Sequence, residues 1–196
     1  MEKKFELTGN LVINAFGIKL FQIKCTKSFK YANKGDLGGY VEKEDNLSQS
    51  GDAWVYGDAQ VYGNARVSGN ARVYGNAWVS GDARVYGDAR VYGDALVYGD
   101  AWVYGDARVS GNAQVYGDAR VENDHMHCGF DCFGSCNRHT HAYKTKGNKV
   151  EITCGCFRGS LEEFEKKVEE THKGTIYEKQ YKAIINLIKI KFGIDG

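Results

Sequence analysis

The stretch Gly51–Glu122, which begins GDAWVYGDAQVY and ends GNAQVYGDARVE, is one six-residue unit written twelve times. Each unit reads Gly-[Asp/Asn]-Ala-x-Val-[Tyr/Ser], except that Glu122 closes the last one. Ala and Val are two positions apart, so in a strand both side chains point to the same side. Gly followed by Asp or Asn favours a turn between strands. A fixed short period of this kind predicts a solenoid with a narrow Ala/Val interior.

The repeat resembles the hexapeptide-repeat family, whose fold is the left-handed parallel β-helix. In that family an aliphatic residue and a small residue two positions earlier point inward, and three hexapeptides close one triangular coil. Val and Ala of each unit match these places. The resemblance implies a mainly β protein with about four coils. A right-handed helix or a flat glycine-rich ribbon is the alternative.

Three units per coil would stack the outward side chains in rows that are rich in aromatic residues and arginine. Such residues are enriched in binding hot spots, so the rows predict an interface between copies of the chain, with a homotrimer as the first expectation from the resembled family. A surface for a planar ligand is a second possibility, and ladders that only stabilise neighbouring coils are a third. The candidate interface residues are Trp54, Trp78, Trp102, Tyr74, Tyr92, Arg72 and Arg90.

The repeat divides the chain into three expected parts: an N-terminal β cap (1–50), the β-helix (51–122) and a C-terminal α+β domain (123–196). In the cap we expect three short strands, with turns near Thr8-Gly9 and Phe16-Gly17. In the C-terminal domain we expect a β-hairpin that turns at residues 146–148. A capping box that starts at Ser160 predicts a helix to about Thr171, and an amphipathic stripe predicts a second helix from about Ile176 to Phe192.

The composition narrows the classes of partner. A net charge of +1 gives no strong signal for nucleic acid, and no run approaches the length of a transmembrane helix, so no membrane partner is expected. The start MEKKFELTGN lacks the apolar core of a signal peptide. We therefore expect a cytoplasmic protein.

Cysteine and histidine are concentrated in residues 125–156, which hold five of the six Cys and four of the five His. Thiolate and imidazole favour zinc. A structural zinc held by His139, His141, Cys154 and Cys156 is one expectation. Because the spacing is not that of a standard zinc finger, free thiols are the competing expectation, and disulfides a weaker one since nothing suggests export.

A second candidate site is the segment Gly155–Ser160, which joins a predicted strand to a predicted helix N-terminus. Free backbone N–H groups at such a junction bind anions, and an arginine adds a fork suited to phosphate. The alternative is an ordinary helix cap beside a surface arginine. The candidate ligand-binding residues are Ser135, Arg138, Tyr143, Gly155, Phe157, Arg158, Gly159 and Ser160, with Tyr143 or Phe157 stacking on a base.

The whole chain, with its DLGGYVEKEDNLS segment, its repeats and its CGCF-G-LEEFE segment, resembles small repeat proteins carried by phages. That resemblance implies the host cytoplasm and a role against host defence. The expected function is a non-catalytic oligomeric binding protein that sequesters a phosphate-bearing immune signal or inhibits a host defence protein.

The alternative is an acyltransferase that uses acetyl-CoA, with His125, His127, His139 or His141 as general base. Residues 51–122 contain no His and no Cys, which weakens this alternative; pure structural assembly is a third possibility.

Overall fold

The computed structural model describes residues 2–194. The chain is mainly β, with a solenoid of about five turns and two C-terminal helices. It divides into two compact units, Met1–Asp118 and Ala119–Gly196.

The first unit begins with three strands: β1 (Phe5–Ile13), β2 (Lys19–Cys25) and β3 (Leu37–Val41). β1 pairs antiparallel with β2, and β2 pairs antiparallel with β3. The turn expected near Gly17 is present, and Gly17 has a φ of +77°. The turn expected near Gly9 is absent, because β1 continues through an irregularity in register between Leu7 and Leu11. Gly9 therefore lies in an irregular part of β1 and not in a turn between two strands.

Each hexapeptide unit contributes one two-residue strand. Within the compact unit Met1–Asp118, eleven of the hexapeptides give the strands β4 (Trp54–Val55), β5 (Gln60–Val61), β6 (Arg66–Val67), β7 (Arg72–Val73), β8 (Trp78–Val79), β9 (Arg84–Val85), β10 (Arg90–Val91), β11 (Leu96–Val97), β12 (Trp102–Val103), β13 (Arg108–Val109) and β14 (Gln114–Val115). They form three parallel stacks: β4-β7-β10-β13, β5-β8-β11-β14 and β6-β9-β12. β3 adds to the second stack by pairing in parallel with β5. Equivalent side chains therefore lie above one another every third unit.

The interior of the solenoid is made of the Ala and Val of each unit. From Ala53 to Val115 these side chains are at most 3% exposed. The glycines that precede them have positive φ, as Gly87 does at +71°, and the backbone of the next coil lies over those from Gly51 to Gly99. The repeat keeps Gly, Ala and Val because the turn conformation and the narrow interior admit little else.

The second unit begins with β15 (Arg120–Val121) and continues as a four-stranded antiparallel sheet in the order β16-β17-β18-β19. The strands are β16 (His127–Phe133), β17 (Arg138–Lys144), β18 (Val150–Cys154) and β19 (Phe157–Ser160). Two helices, α1 (Leu161–His172) and α2 (Ile176–Phe192), complete it. The core between sheet and helices includes Ile152, Phe164 and Ile188.

The predicted hairpin, here β17 and β18, and both predicted helices are confirmed. The capping box is present, with Ser160 accepting from the backbone N–H of Glu163 and the Glu163 carboxylate accepting from that of Ser160. Two strands, β16 and β19, were not predicted. Within residues 2–194, neither helix combines the length and the apolar character that crossing a membrane requires.

Candidate functional site

The aromatic rows of the solenoid are partly covered by the N-terminal strands. Trp54 is only 1% exposed and packs edge-on against Phe5 and Phe29, so its predicted outward exposure was wrong. Arg72, in the same stack, lies over the ring of Tyr31 at 4.8 Å. The N-terminal segment buries these side chains because the first turn of a solenoid exposes apolar surface that needs a cover.

The other aromatic rows make ladders within the chain. Tyr74 stacks on Tyr92 with ring centroids 4.9 Å apart, and Trp78 meets the exposed ring of Phe16 edge-on at 6.1 Å. Arg84 lies over the ring of Trp102 at 5.0 Å. Arg90 pairs in register between Arg72 and Arg108. These contacts are the ladders considered as an alternative to an interface, so an interface stays a prediction.

The four candidate zinc ligands are not brought together. Thr140 lies opposite Cys154 and His141 lies opposite Thr153, and directly paired residues of antiparallel strands share a face. His139 and His141 therefore project from the face opposite to Cys154, which packs towards the helices. Register decides this, and strand spacing alone could not reveal it.

The histidines bond to other partners instead. His139 Nδ1 lies 2.6 Å from Asp131 Oδ1, and His127 Nδ1 lies 3.0 Å from His141 Nε2. Across residues 2–194 no group of three or more His, Cys, Asp or Glu side chains is placed to hold a metal ion. The proposed quartet of His139, His141, Cys154 and Cys156 therefore does not fit zinc.

A cavity of about 330 Å³ lies in the second unit between the sheet and the helices. We call it the C-terminal pocket. The sheet and its loops contribute Ser135, Cys136, Arg138, Cys154, Cys156 and Phe157. The helices contribute Phe164, Lys167, Val168, Thr171, His172 and Tyr181. Its volume lies within the range of small-molecule sites.

Three of the predicted ligand-binding residues, Ser135, Arg138 and Phe157, meet at this pocket. Cys156 lines it too, although the sequence suggested that residue only as a metal ligand. Gly155 acts indirectly: it has a φ of +60°, and a Cβ there would clash with the Arg138 side chain. The glycine thus allows Arg138 to lie across the loop.

The remaining predicted residues lie elsewhere. Residues 157–160 form strand β19 rather than a turn, so Phe157 and Arg158 point to opposite sides. Arg158, with its side chain 42% exposed, donates to the Glu151 carboxylate at 3.1 Å.

The helix N-terminus is not open to an anion in the way the sequence suggested. The main-chain N–H groups of Ser160 and Glu163 are taken by the capping box, which is the ordinary cap considered as the alternative. Gly159 is covered by the side chain of Glu163. Tyr143 is fully buried and donates to Glu151, so it is not available to stack on a base.

The walls of the C-terminal pocket are aromatic and its charged lining residues are basic. Phe164 packs against Phe157 at 5.1 Å and edge-on against Tyr181 at 5.6 Å. The ring of His172 stacks on Tyr181 at 5.3 Å. Burial raises the pKa of Tyr181 far above its usual value, so the phenol stays protonated. Neutral phenol, arginine and lysine together suit a ligand that has a planar part and a negative charge.

Sequence reasoning missed the helical half of this pocket. Phe164, Val168 and Thr171 are spaced by four and three residues and so share one face of α1, and Lys167 and His172 flank them. This helix was predicted from its capping box alone, so no role was expected for this face. The signal that this face also lines a cavity is absent from the sequence.

Comparison with known families identifies the repeat. A family model described as YdcK Beta solenoid repeat matches residues 59–75, 65–81, 71–87, 83–99, 89–105, 101–115 and 113–125. The chain is therefore similar to a β-solenoid repeat family. The matches end at residue 125 and leave the C-terminal pocket outside them. No curated protein matches the chain.

Proposed function

We propose that the protein is a non-catalytic binding protein whose C-terminal pocket holds a phosphate-bearing small molecule with a planar ring. The observation that carries the proposal is the composition of that pocket. Arg138, Lys167 and His172 line it together with aromatic rings, and no Asp or Glu between residues 2 and 194 belongs to its lining. An anion beside Arg138 would therefore meet positive charge, to which Lys167 adds although it also forms an exposed ion pair with Glu170 at 3.8 Å.

The geometry suggests a division of roles. The Arg138 guanidinium offers a planar fork of donors to phosphate oxygens, and Lys167 adds a mobile point charge. The rings of Phe157 and Phe164, 5.1 Å apart between centroids, offer apolar surface to a base. Hydrogen bonds to charged groups contribute about 1.5–3 kcal/mol each, so Arg138 should dominate the affinity.

The solenoid would serve as the scaffold. In the resembled hexapeptide family it is a left-handed helix of triangular coils, here about four, that assembles into trimers. The phage resemblance adds a setting: a cytoplasmic protein that sequesters a nucleotide-type immune signal of the host, or that inhibits a host defence protein. The acyltransferase alternative has less support, because His139 and His141 project from the sheet face opposite to pocket residue Cys154.

Calorimetry with a nucleoside monophosphate tests the pocket. Arg138→Ala should weaken binding about tenfold or more, since it removes charge-assisted hydrogen bonds. Arg158→Ala is the matched control, because this arginine lies outside the pocket and should leave the affinity unchanged. Equal affinity in wild type and Arg138→Ala would overturn the assignment of the site.

Thiol alkylation gives an independent readout. Cys132, Cys136 and Cys156 are all exposed, but only the last two line the pocket. A bound ligand should slow the alkylation of Cys136 and Cys156 and leave Cys132, the internal control, at its original rate. A ligand that binds without protecting these two thiols binds elsewhere.

A further inference from the structure

We infer that a groove on the solenoid of the first unit is a second site, which binds nucleotides as anions that carry an aromatic ring system. The groove has a volume of about 620 Å³ and lies between residues 44–49 and the stack β6-β9-β12. We call it the solenoid groove. Its ligand-facing side chains are Arg66, Arg84, Tyr86 and Trp102.

One wall of the groove is fixed by buried side-chain bonds to the backbone. Asn46 is fully buried and donates to the carbonyls of Gly63 and Ala65. Gln49 accepts from the N–H of Phe5 and donates to its carbonyl. With the opposite wall made of stacked coils, the groove is formed before any ligand arrives, which lowers the entropic cost of binding.

The charges around the groove leave an excess of cations. Glu44 is paired with Lys3 at 2.6 Å. Asp82 accepts a hydrogen bond from the neutral amide of Asn64 at 3.1 Å and keeps its negative charge. Asp45 and Asp82 are therefore the remaining negative charges of the two linings.

Three cations, Lys43, Arg66 and Arg84, line the groove or the adjoining cleft of about 350 Å³ and exceed these two carboxylates by one charge. Arg66 is exposed and forms no ion pair with any residue between 2 and 194. The local charge therefore favours an anion.

The groove also offers an aromatic surface next to these cations. The rings of Tyr86 and Trp102 meet edge-on at 6.1 Å, and Tyr86 stacks on Tyr104 at 5.1 Å. Arg84 lies against Trp102 at 5.0 Å. Rings that are already held by their neighbours lose little freedom when a base stacks on them.

Together these features match the two ends of a nucleotide. A phosphate group would pair with Arg66, and a base would stack on the surface made by Tyr86 and Trp102. Stacking of this kind accepts any of the bases, because each has a π face. The site is independent of the C-terminal pocket, because its residues all belong to the first unit.

The test is calorimetry together with tryptophan fluorescence in the Arg138→Ala background, which removes the contribution of the C-terminal pocket. The probes are ATP, adenosine and inorganic tripolyphosphate. We expect ATP to bind more tightly than either of the other two and to quench the emission of Trp102. Arg66→Ala should weaken ATP binding about tenfold, as the loss of one charge-assisted contact does.

Arg108→Ala is the matched control, because Arg108 occupies the same repeat position in a different stack and should leave ATP binding unchanged. Arg66 is exposed, so its removal should not unfold the chain, which circular dichroism checks. In Trp102→Phe the ATP-dependent quenching should vanish. No ATP binding, tripolyphosphate binding as tightly as ATP, or equal losses in the Arg66 and Arg108 variants would overturn the inference.

Discussion

At the scale of single residues, the glycines of the repeat carry a steric requirement that differs along the solenoid. Gly87 has a φ of +71°, and a Cβ there would lie 2.9 Å from the backbone N and O of Gly105. Gly111 has a similar φ of +63°, yet a Cβ there would meet nothing within 4 Å. The two positions therefore separate backbone strain from a clash between coils.

We predict that Gly87→Ala destabilises the protein more than Gly111→Ala. Both variants incur the left-handed penalty of about 1–2 kcal/mol, but only the first forces two coils apart. Thermal unfolding of the two variants measures the difference. Equal losses of stability would mean that the coils are not packed as closely as the structure shows.

The Asn and Asp residues of the turns form a second residue-scale ladder. Asn76 donates to Asp94 at 2.9 Å across neighbouring coils, and equivalent bonds join Asn64 to Asp82 and Asn70 to Asp88. Asn76→Asp would replace a hydrogen bond with a carboxylate pair.

We predict that Asn76→Asp lowers the free energy of unfolding by up to about 1 kcal/mol, and that salt reduces the loss because these groups are exposed. Asn76→Ala removes the bond without adding charge and is the control. Urea unfolding at low and high salt distinguishes them. A loss in Asn76→Asp that salt leaves unchanged would contradict the electrostatic explanation.

At the scale of elements, the N-terminal cap contains a buried lysine. Lys4 Nζ donates to the carbonyls of Gly51 and Ala53, and burial lowers its pKa from 10.5 to about 8. Between pH 8 and 10.5 the unfolded chain therefore binds more protons at this side chain than the folded one. Stability contributed through Lys4 rises with pH across that window.

Lys4→Met should remove this rise, so the difference in unfolding free energy between wild type and variant changes from pH 8 to pH 10.5. The exposed Lys24→Met is the control and should leave the pH dependence of the wild type intact. Denaturant titrations at several pH values measure both. An identical pH profile in wild type and Lys4→Met would contradict the burial of the charged group.

The elements also show what the sequence could and could not predict. The solenoid followed from the strict period, and α2 from its apolar stripe, because both patterns are local. The metal quartet and the anion-binding turn failed because each depended on which face a side chain takes in a sheet. Register sets that face, and for His141 it is set by pairing with Thr153, twelve residues away.

At the scale of the whole molecule, the cap decides which aromatic rows remain available. It buries Trp54 and contacts Trp78 through Phe16, whereas Trp102 stays at the solenoid groove. The sequence could not reveal this selection, since all three tryptophans occupy the same place in the repeat. The rows predicted as one interface thus have different surroundings.

The C-terminal pocket is the proposed site for a phosphate-bearing molecule. Native mass spectrometry of the purified wild type and of Arg138→Ala, each before and after addition of a nucleoside monophosphate, tests it most directly. We predict that the wild type carries one nucleotide-sized mass more per chain than Arg138→Ala, which keeps only what the solenoid groove binds. A wild type that stays free of ligand at every nucleotide concentration, or a variant that keeps as much as the wild type, would contradict the proposed function.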